Sequence, residues 1–201
     1  MLSLAFNSDG TLLATGSYRG KLDLWGVATQ MRHGKPMKVA DDGVLSVAFD
    51  PSGRLVAGGG SVGPVRVWRV ADGRPAFPAP GHTGQVTGVS FTNSLLATTS
   101  ASGSTRLWDP ATGSAYGDEL VSPRPESLEP NVDLPFLGLR NAFSPDGKLL
   151  AATGVDGYAM VWNVDPAVWG RRACAIVGRN LTREEWKLYL PAGAHYRPTC
   201  P

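Results

Sequence analysis

The sequence predicts an all-β chain built from repeated antiparallel sheets, and three observations carry that expectation. The stretch SPDGKLLAATGVDGYAMVWNV, from Ser144 to Val164, alternates short apolar runs with Gly-rich turns, the pattern of β-hairpins. That stretch has three siblings elsewhere in the chain. The 25 Gly and 16 Pro among 201 residues suit many short strands joined by turns better than long helices.

The siblings align on an aromatic that precedes the first turn. They read LAFNSDGTLLATGSYRGKLDLW from Leu4, VAFDPSGRLVAGGGSVGPVRVW from Val47, VSFTNSLLATTSASGSTRLW from Val89 and NAFSPDGKLLAATGVDGYAMVW from Asn141. Phe6, Phe49, Phe91 and Phe143 are spaced 43, 42 and 52 residues apart, and the units close on Trp25, Trp68, Trp108 and Trp162. Within each unit the Phe to Trp distance is 19, 19, 17 and 19. A period of about 40 to 45 residues with a terminal Trp is the signature of a propeller blade. The expected fold is therefore a partial, open β-propeller of four blades, each a four-stranded antiparallel sheet, over residues 1–164 at about 1–42, 43–80, 81–122 and 136–164.

Each unit divides into strands by its own punctuation. In the last, FLGLRNAF is the first strand, SPDG a turn, KLLAAT the second strand, GVDG a turn and YAMVWNV the third strand. KPMKVA from Lys35, RPAFPA from Arg74 and SAYGDELV from Ser114 are the candidate fourth strands of the first three blades. A Pro-rich loop, SPRPESLEPNVDLP over 122–135, accounts for the longer final spacing, because Pro removes ladder donors. The last blade is expected to lack its outer strand, since the sequence after Trp162 turns into a helical C-terminal extension over 165–201.

That extension opens with DPAVWGRRACAIVGRN, which reads as a helix with Asp165 as cap, Pro166 in the first turn and Gly178 near its end. NLTREEW then holds a capping box, Thr182 with Glu185, for a second helix over Arg183 to Leu190 that ends at Pro191. Trp186, Tyr189 and Leu190 are available to pack it on the last blade. Closure protects sheet edges, and nothing ahead of Leu2 reads as a strand to donate. The expectation is that about three further blades lie upstream and that the chain is the C-terminal part of a larger protein, since propellers close with about 4 to 8 blades.

Charge and hydropathy exclude several classes. A net charge of +2, from 19 basic and 17 acidic side chains, offers no broad footprint for nucleic acid. The basic residues of the tail, Arg171, Arg172, Arg179, Arg183, Lys187 and Arg197, mix with Glu184 and Glu185 and read as a solvated helix face. No apolar run is long enough to span a membrane, and Met1 leads into strand sequence instead of a signal core. The chain is expected to be soluble and cytoplasmic, with no nucleic-acid or membrane partner.

These four units resemble WD-repeats. The tail ACAIVGRNLTREEWKLYLPAGAHYRPTC is similar to the C-terminal extension of bacterial, actinobacterial-type WD-repeat proteins, whose propellers often follow an NTPase, kinase or other signalling domain. The resemblance implies a buried Asp, His, Ser or Thr, and Trp network in each blade. Blade three offers His82, Ser100 and Trp108, with Ser102 at the Asp position; blade four offers Asp156 and Trp162, with Leu134 near the His position. Blade one has Ser17 and Trp25 with Arg19 at the Asp position, and blade two has Val62 there. Together with Phe6, Phe49, Trp68, Phe91 and Phe143, the matching side chains are expected to be structural, and His82 to be a structural histidine.

Other motifs fare worse. GGGSVG over Gly58 to Gly63 fits a dinucleotide pattern, but Pro64 and VRVW continue into a strand where a helix is required, so a hairpin turn with positive φ is expected. His33, His82 and His195 stand in no nucleophile context. Cys174 and Cys200 leave two alternatives, a disulfide with each other or a zinc site with His195. NLT at Asn180 matches a glycosylation acceptor and reads better as helix capping. No cofactor is expected.

The function expected is that of a non-enzymatic scaffold for protein–protein interaction within a larger regulatory or signalling protein. Tyr18, Arg19, Arg66, Arg106 and Tyr158 are the candidate partner surface. The alternatives are an enzyme that cups a substrate in the central channel and a truncated product without autonomous function.

Overall fold

A polar residue three places ahead of a glycine sets the turn that starts three of the four sheets. Gly10, Gly53 and Gly147 take φ of 71°, 68° and 69°, a conformation that only glycine adopts without strain. Their N–H groups donate to the carbonyls of Asn7, Asp50 and Ser144 at 3.1, 2.9 and 2.8 Å. The side chains of the same three residues accept from the N–H of Leu12, Leu55 and Leu149 at 2.9, 2.6 and 2.9 Å, which fixes where the second strand begins.

The computed structural model describes residues 2–61, 65–77, 81–82, 84–121, 140–154, 159–180, 182–184, 198 and 200. Two compact units make up the chain, Met1–Val161 and Trp162–Pro201. The first blade contains β1 (Ser3–Phe6), β2 (Leu12–Gly16), β3 (Lys21–Gly26) and β4 (Arg32–Lys38), hydrogen-bonded in that order. The second contains β5 (Val44–Phe49), β6 (Leu55–Gly60) and β7 (Arg66–Arg69), and the third β8 (Val86–Phe91), β9 (Leu96–Ser100), β10 (Ser104–Trp108) and β11 (Leu120–Val121). In the fourth are β12 (Asn141–Phe143), β13 (Leu149–Thr153) and β14 (Ala159–Asn163). All pairings of known register are antiparallel, and the chain is an open, partial β-propeller.

The fourth strands differ from expectation in blades two and three. In the described part of RPAFPA, residues 74–77, there is a bridge of Trp68 with Pro75, held by Arg69 N–H to the Arg74 carbonyl and Ala76 N–H to the Val67 carbonyl, both at 2.9 Å. Pro75 has no N–H to extend the ladder. SAYGDELV splits into a bridge at Ala115 and the two-residue β11, because Gly117 at φ 64° turns the chain between them. Among the described residues blade four has three strands, as expected. The Pro-rich loop 122–135 and the strand residues before Arg140 lie outside the described residues.

Innermost strands stand side by side, β1 against β5, β5 against β8 and β8 against β12. Two apolar cores lie between blades. Ala14, Leu22, Leu24, Met37 and Val39 of blade one cover Val47, Val56 and Trp68 of blade two. Ala57, Val65, Val67 and Phe77 of blade two cover Val89, Leu96 and Trp108 of blade three. The expected turn over GGGSVG is corrected at its first three residues, since Gly58, Gly59 and Gly60 are strand residues of β6 and none takes positive φ, while Gly63 lies outside the described residues. Their bare backbone admits the neighbours, since a Cβ on Gly59 would lie 2.5 Å from Val86 Cγ1 and one on Gly58 2.8 Å from Val39 Cγ2.

In the second unit α1 (Pro166–Val177) has the caps its sequence predicts. Asp165 accepts from Ala167 N–H at 2.9 Å, Pro166 opens the first turn, and Gly178 ends the helix in the left-handed region at φ 68°. Trp169 donates its indole N–H to the Asn163 carbonyl at 2.6 Å. Cys174 and Cys200 form a disulfide with Cα atoms 5.4 Å apart. Of the second predicted helix only Thr182, Arg183 and Glu184 are described, the last two helical; Trp186, Tyr189 and Leu190 lie outside the described residues.

Candidate interaction surface

Blade three holds the most developed polar cluster. Trp108 Nε1–H donates to Thr98 Oγ1 at 2.8 Å, and the same hydroxyl oxygen is 2.8 Å from His82 Nε2. An indole nitrogen only donates, so Thr98 accepts there. The other ring nitrogen of His82, Nδ1, is 3.3 Å from Ser104 Oγ. Ser104 in turn meets Ser100 at 2.9 Å, and Ser100 meets Ser102 at 2.6 Å. Burial pushes the His82 pKa below its ordinary value of 6.5, and the nearby Arg106 charge pushes it the same way, so the ring is neutral at pH 7.

The resemblance implies Ser100 and Ser17 as members of the network; in the structure the hydroxyls that meet the indoles are those of Thr98 and Thr15. Trp25 Nε1–H donates to Thr15 Oγ1 at 3.0 Å, the counterpart of the Trp108 to Thr98 bond. Each Thr precedes its Trp by ten residues and its Ser by two, on the same strand face. Ten residues ahead of Trp68 stands Gly58, which has no hydroxyl to offer.

The aromatic positions divide by blade. Trp68 and Trp108 are buried, Phe49, Phe91, Phe143, Trp25 and Trp162 are half-buried, and Phe6 is exposed. His82 and Ser100 are buried, whereas Ser102 is exposed. Asp156, Tyr158, Val62 and Leu134 lie outside the described residues.

The candidate surface residues fall on three sheets. Tyr18 and Arg19 are exposed together in the turn between β2 and β3. Arg66 is exposed on β7 and donates from Nε to the Val39 carbonyl at 3.2 Å, tying blade two to blade one. Arg106 is half-buried and engaged: it pairs with Glu119 and its guanidinium lies 5.8 Å from the centre of the Trp108 ring. Of the described candidates, Tyr18 and Arg19 stand together with both side chains exposed.

Arg140 escaped sequence reasoning. It precedes β12, and its Nη1 donates to the carbonyls of Leu45 at 3.2 Å and Thr87 at 3.1 Å, near the starts of β5 and β8. One guanidinium therefore ties the inner strands of three blades. Asn141 continues the seam, donating to Thr99 Oγ1 at 2.7 Å and accepting from Ser90 Oγ at 2.7 Å. Among the described residues no three His, Cys, Asp or Glu side chains gather as a metal site, and the thiols of Cys174 and Cys200 are joined to each other. No helix among those residues is long and apolar enough to cross a membrane.

An open arc of antiparallel blades, with a Trp to Thr bond inside two of them, defines a repeat protein of the propeller class. Three stretches, residues 1–26, 74–109 and 138–163, match the family described as WD domain, G-beta repeat. The unit from Phe49 to Trp68, in which Gly58 replaces the threonine, is not among those stretches. The fold is similar to the computationally designed Ika4 protein, with a TM-score of 0.66 at 20% identity over 81% of this chain and 90% of that one. It is also similar to the computationally designed Ika8 protein, with a TM-score of 0.61 at 19% identity over 81% of this chain and 45% of that one. No curated protein matches the chain.

Proposed function

We propose that the chain is a non-enzymatic scaffold for protein–protein interaction. The observation that carries this reading is how the polar chemistry is spent. Among the described residues His82 is buried and bonded to Thr98 and Ser104, so its ring is engaged in holding a blade together. What remains for other molecules is the rim of turns, among which the Tyr18–Arg19 turn has both side chains exposed. Repeated sheets that bury their faces against each other leave turns and edges as rigid platforms.

In this reading the chain works as the C-terminal part of a larger WD-repeat regulatory or signalling protein of the bacterial, actinobacterial type, with upstream blades of the same polypeptide. In this reading it acts in the cytoplasm. Translation of the DNA upstream of the Met1 codon tests the larger context. Further units with a Phe to Trp spacing of 17 to 19 residues would support it, and an in-frame stop with none would overturn it. The interaction role is tested by in-cell crosslinking of the wild-type chain against a Tyr18→Ala, Arg19→Glu variant. Partners retained by the first and lost by the second support the assigned turn, and an identical partner set refutes it.

A further inference from the structure

The two ends of the arc leave exposed the positions that its internal blades cover. Position by position, Leu4 of blade one corresponds to Val47 and Val89, each standing two residues ahead of the unit's Phe. Val47 and Val89 are 7% and 6% exposed because the preceding blade covers them; Leu4 is 61% exposed. Phe6 on the same face is also exposed, and Trp25 is only half-buried where Trp68 and Trp108 are buried.

At the other end the same comparison concerns the residue just before each Trp. Leu24, Val67 and Leu107 are 2%, 1% and 3% exposed, whereas Val161 of blade four is 60% exposed. Ala159 and Leu149 are exposed on the same face of blade four, and Ala151 is half-buried where its counterparts Ala14, Ala57 and Ala97 are fully buried. Solenoid-type repeats end on polar caps when nothing is to cover them. Both ends of this arc are apolar instead, and contiguous exposed apolar faces mark interaction sites.

We propose that the 201-residue chain associates with a second copy of itself head to tail, the second copy taking the place that the reading above gives to upstream blades, with the face of blade one carrying Leu4 and Phe6 receiving the face of blade four carrying Val161 and Ala159. The argument for this occupant is continuity with the interfaces already inside the chain. Between blades one and two, Leu24 and its neighbours cover Val47 and Trp68; between blades two and three, Val67 and its neighbours cover Val89 and Trp108. Val161 against Leu4 and Trp25 repeats that pairing between copies. A head-to-tail contact closes into a ring when its rotation allows. Two arcs of four blades make eight, within the range of about 4 to 8 blades at which propellers close.

The test is molar mass by light scattering on the full chain at micromolar concentration. The wild-type protein is expected at twice the mass of one chain. Leu4→Asp and Val161→Asp are each expected at single mass, because every contact needs one face of each kind. An equimolar mixture of the two is expected to regain a 1:1 species, since the Val161→Asp copy keeps its blade-one face and the Leu4→Asp copy its blade-four face. If either variant loses its circular dichroism spectrum, Phe6→Asp or Ala159→Asp carries the charge on the same face. A wild-type monomer would overturn the proposal and leave upstream blades as the occupant. A dimer that survives Val161→Asp would overturn the head-to-tail geometry in favour of two like faces meeting. A mixture that stays at single mass, with both variants folded, would overturn it as well.

Discussion

Thr98 Oγ1 lies 2.8 Å from Trp108 Nε1 and 2.8 Å from His82 Nε2, so one buried hydroxyl serves two rings at once. Thr98→Val keeps the shape and removes both bonds, leaving an indole N–H and an imidazole nitrogen unpaired. We expect a loss of about 1 to 3 kcal/mol, the usual cost of an orphaned buried polar group. Urea unfolding measures it, with Thr98→Ser as the partner variant that keeps the oxygen. Equal midpoints for Val and wild type would show the bond to be dispensable.

Truncating the ring itself is more severe. Trp108 is buried in the core between blades two and three. Trp108→Ala is expected to cost about 3 to 5 kcal/mol through the cavity it leaves. An unchanged thermal midpoint would contradict the core assignment.

His82 makes stability depend on pH. Burial holds its folded pKa below the ordinary 6.5. As the pH falls past 6.5 the unfolded chain takes up a proton that the folded chain still refuses, which favours unfolding. The contribution is therefore complete above that value and is lost as pH falls toward the folded pKa. Urea midpoints between about pH 7.5 and pH 5 should decline for the wild type and decline less for His82→Gln. Parallel curves would dissociate His82 from the acid response.

Glycine in β6 is a packing requirement. A Cβ on Gly59 would meet Val86 Cγ1 at 2.5 Å and the Val86 carbonyl oxygen at 3.0 Å. Gly59→Ala is expected to destabilise by about 1 to 3 kcal/mol by overpacking. Gly84→Ala, where nothing lies within 4 Å, is the matched control. Similar midpoints for the two variants would remove the steric argument.

The Cys174–Cys200 bridge closes a loop of 26 residues. Its removal should cost the second unit about 3 kcal/mol by the loop-entropy relation. The readout is the melting of the α1 helical signal with and without reductant, beside intact mass after thiol alkylation. Two alkylated thiols in the unreduced protein would refute the bridge.

Much of the fold was legible because its signals are local. The Phe to Trp spacing, the turn glycines and the caps of α1 each concern residues a few positions apart, and Gly10, Gly53, Gly147, Asp165 and Gly178 sit where sequence reasoning places them. Less was legible of the polar cluster. Thr98 and Ser100 share a strand face, so alternation alone cannot say which of them meets the indole. The pairing of Trp108 with Leu96 decides it by bringing the ring over Thr98. GGGSVG reads as a hairpin turn because Pro64 and VRVW continue into a strand, yet β6 runs through Gly58 to Gly60 and needs them for the approach of Val39 and Val86.

The sequence by itself determined the four repeated sheets, the turns at Gly10, Gly53 and Gly147 and the first helix of the tail, since each follows from backbone preference or from side chains close in the chain. Only the tertiary structure decided which faces those blades share, that Arg140 reaches the inner strands of blades two and three, and that Leu4 and Val161 are left uncovered. Those outcomes depend on residues up to 95 positions apart, and the burial of a face is a property of its neighbour, which no periodicity within a single blade can express.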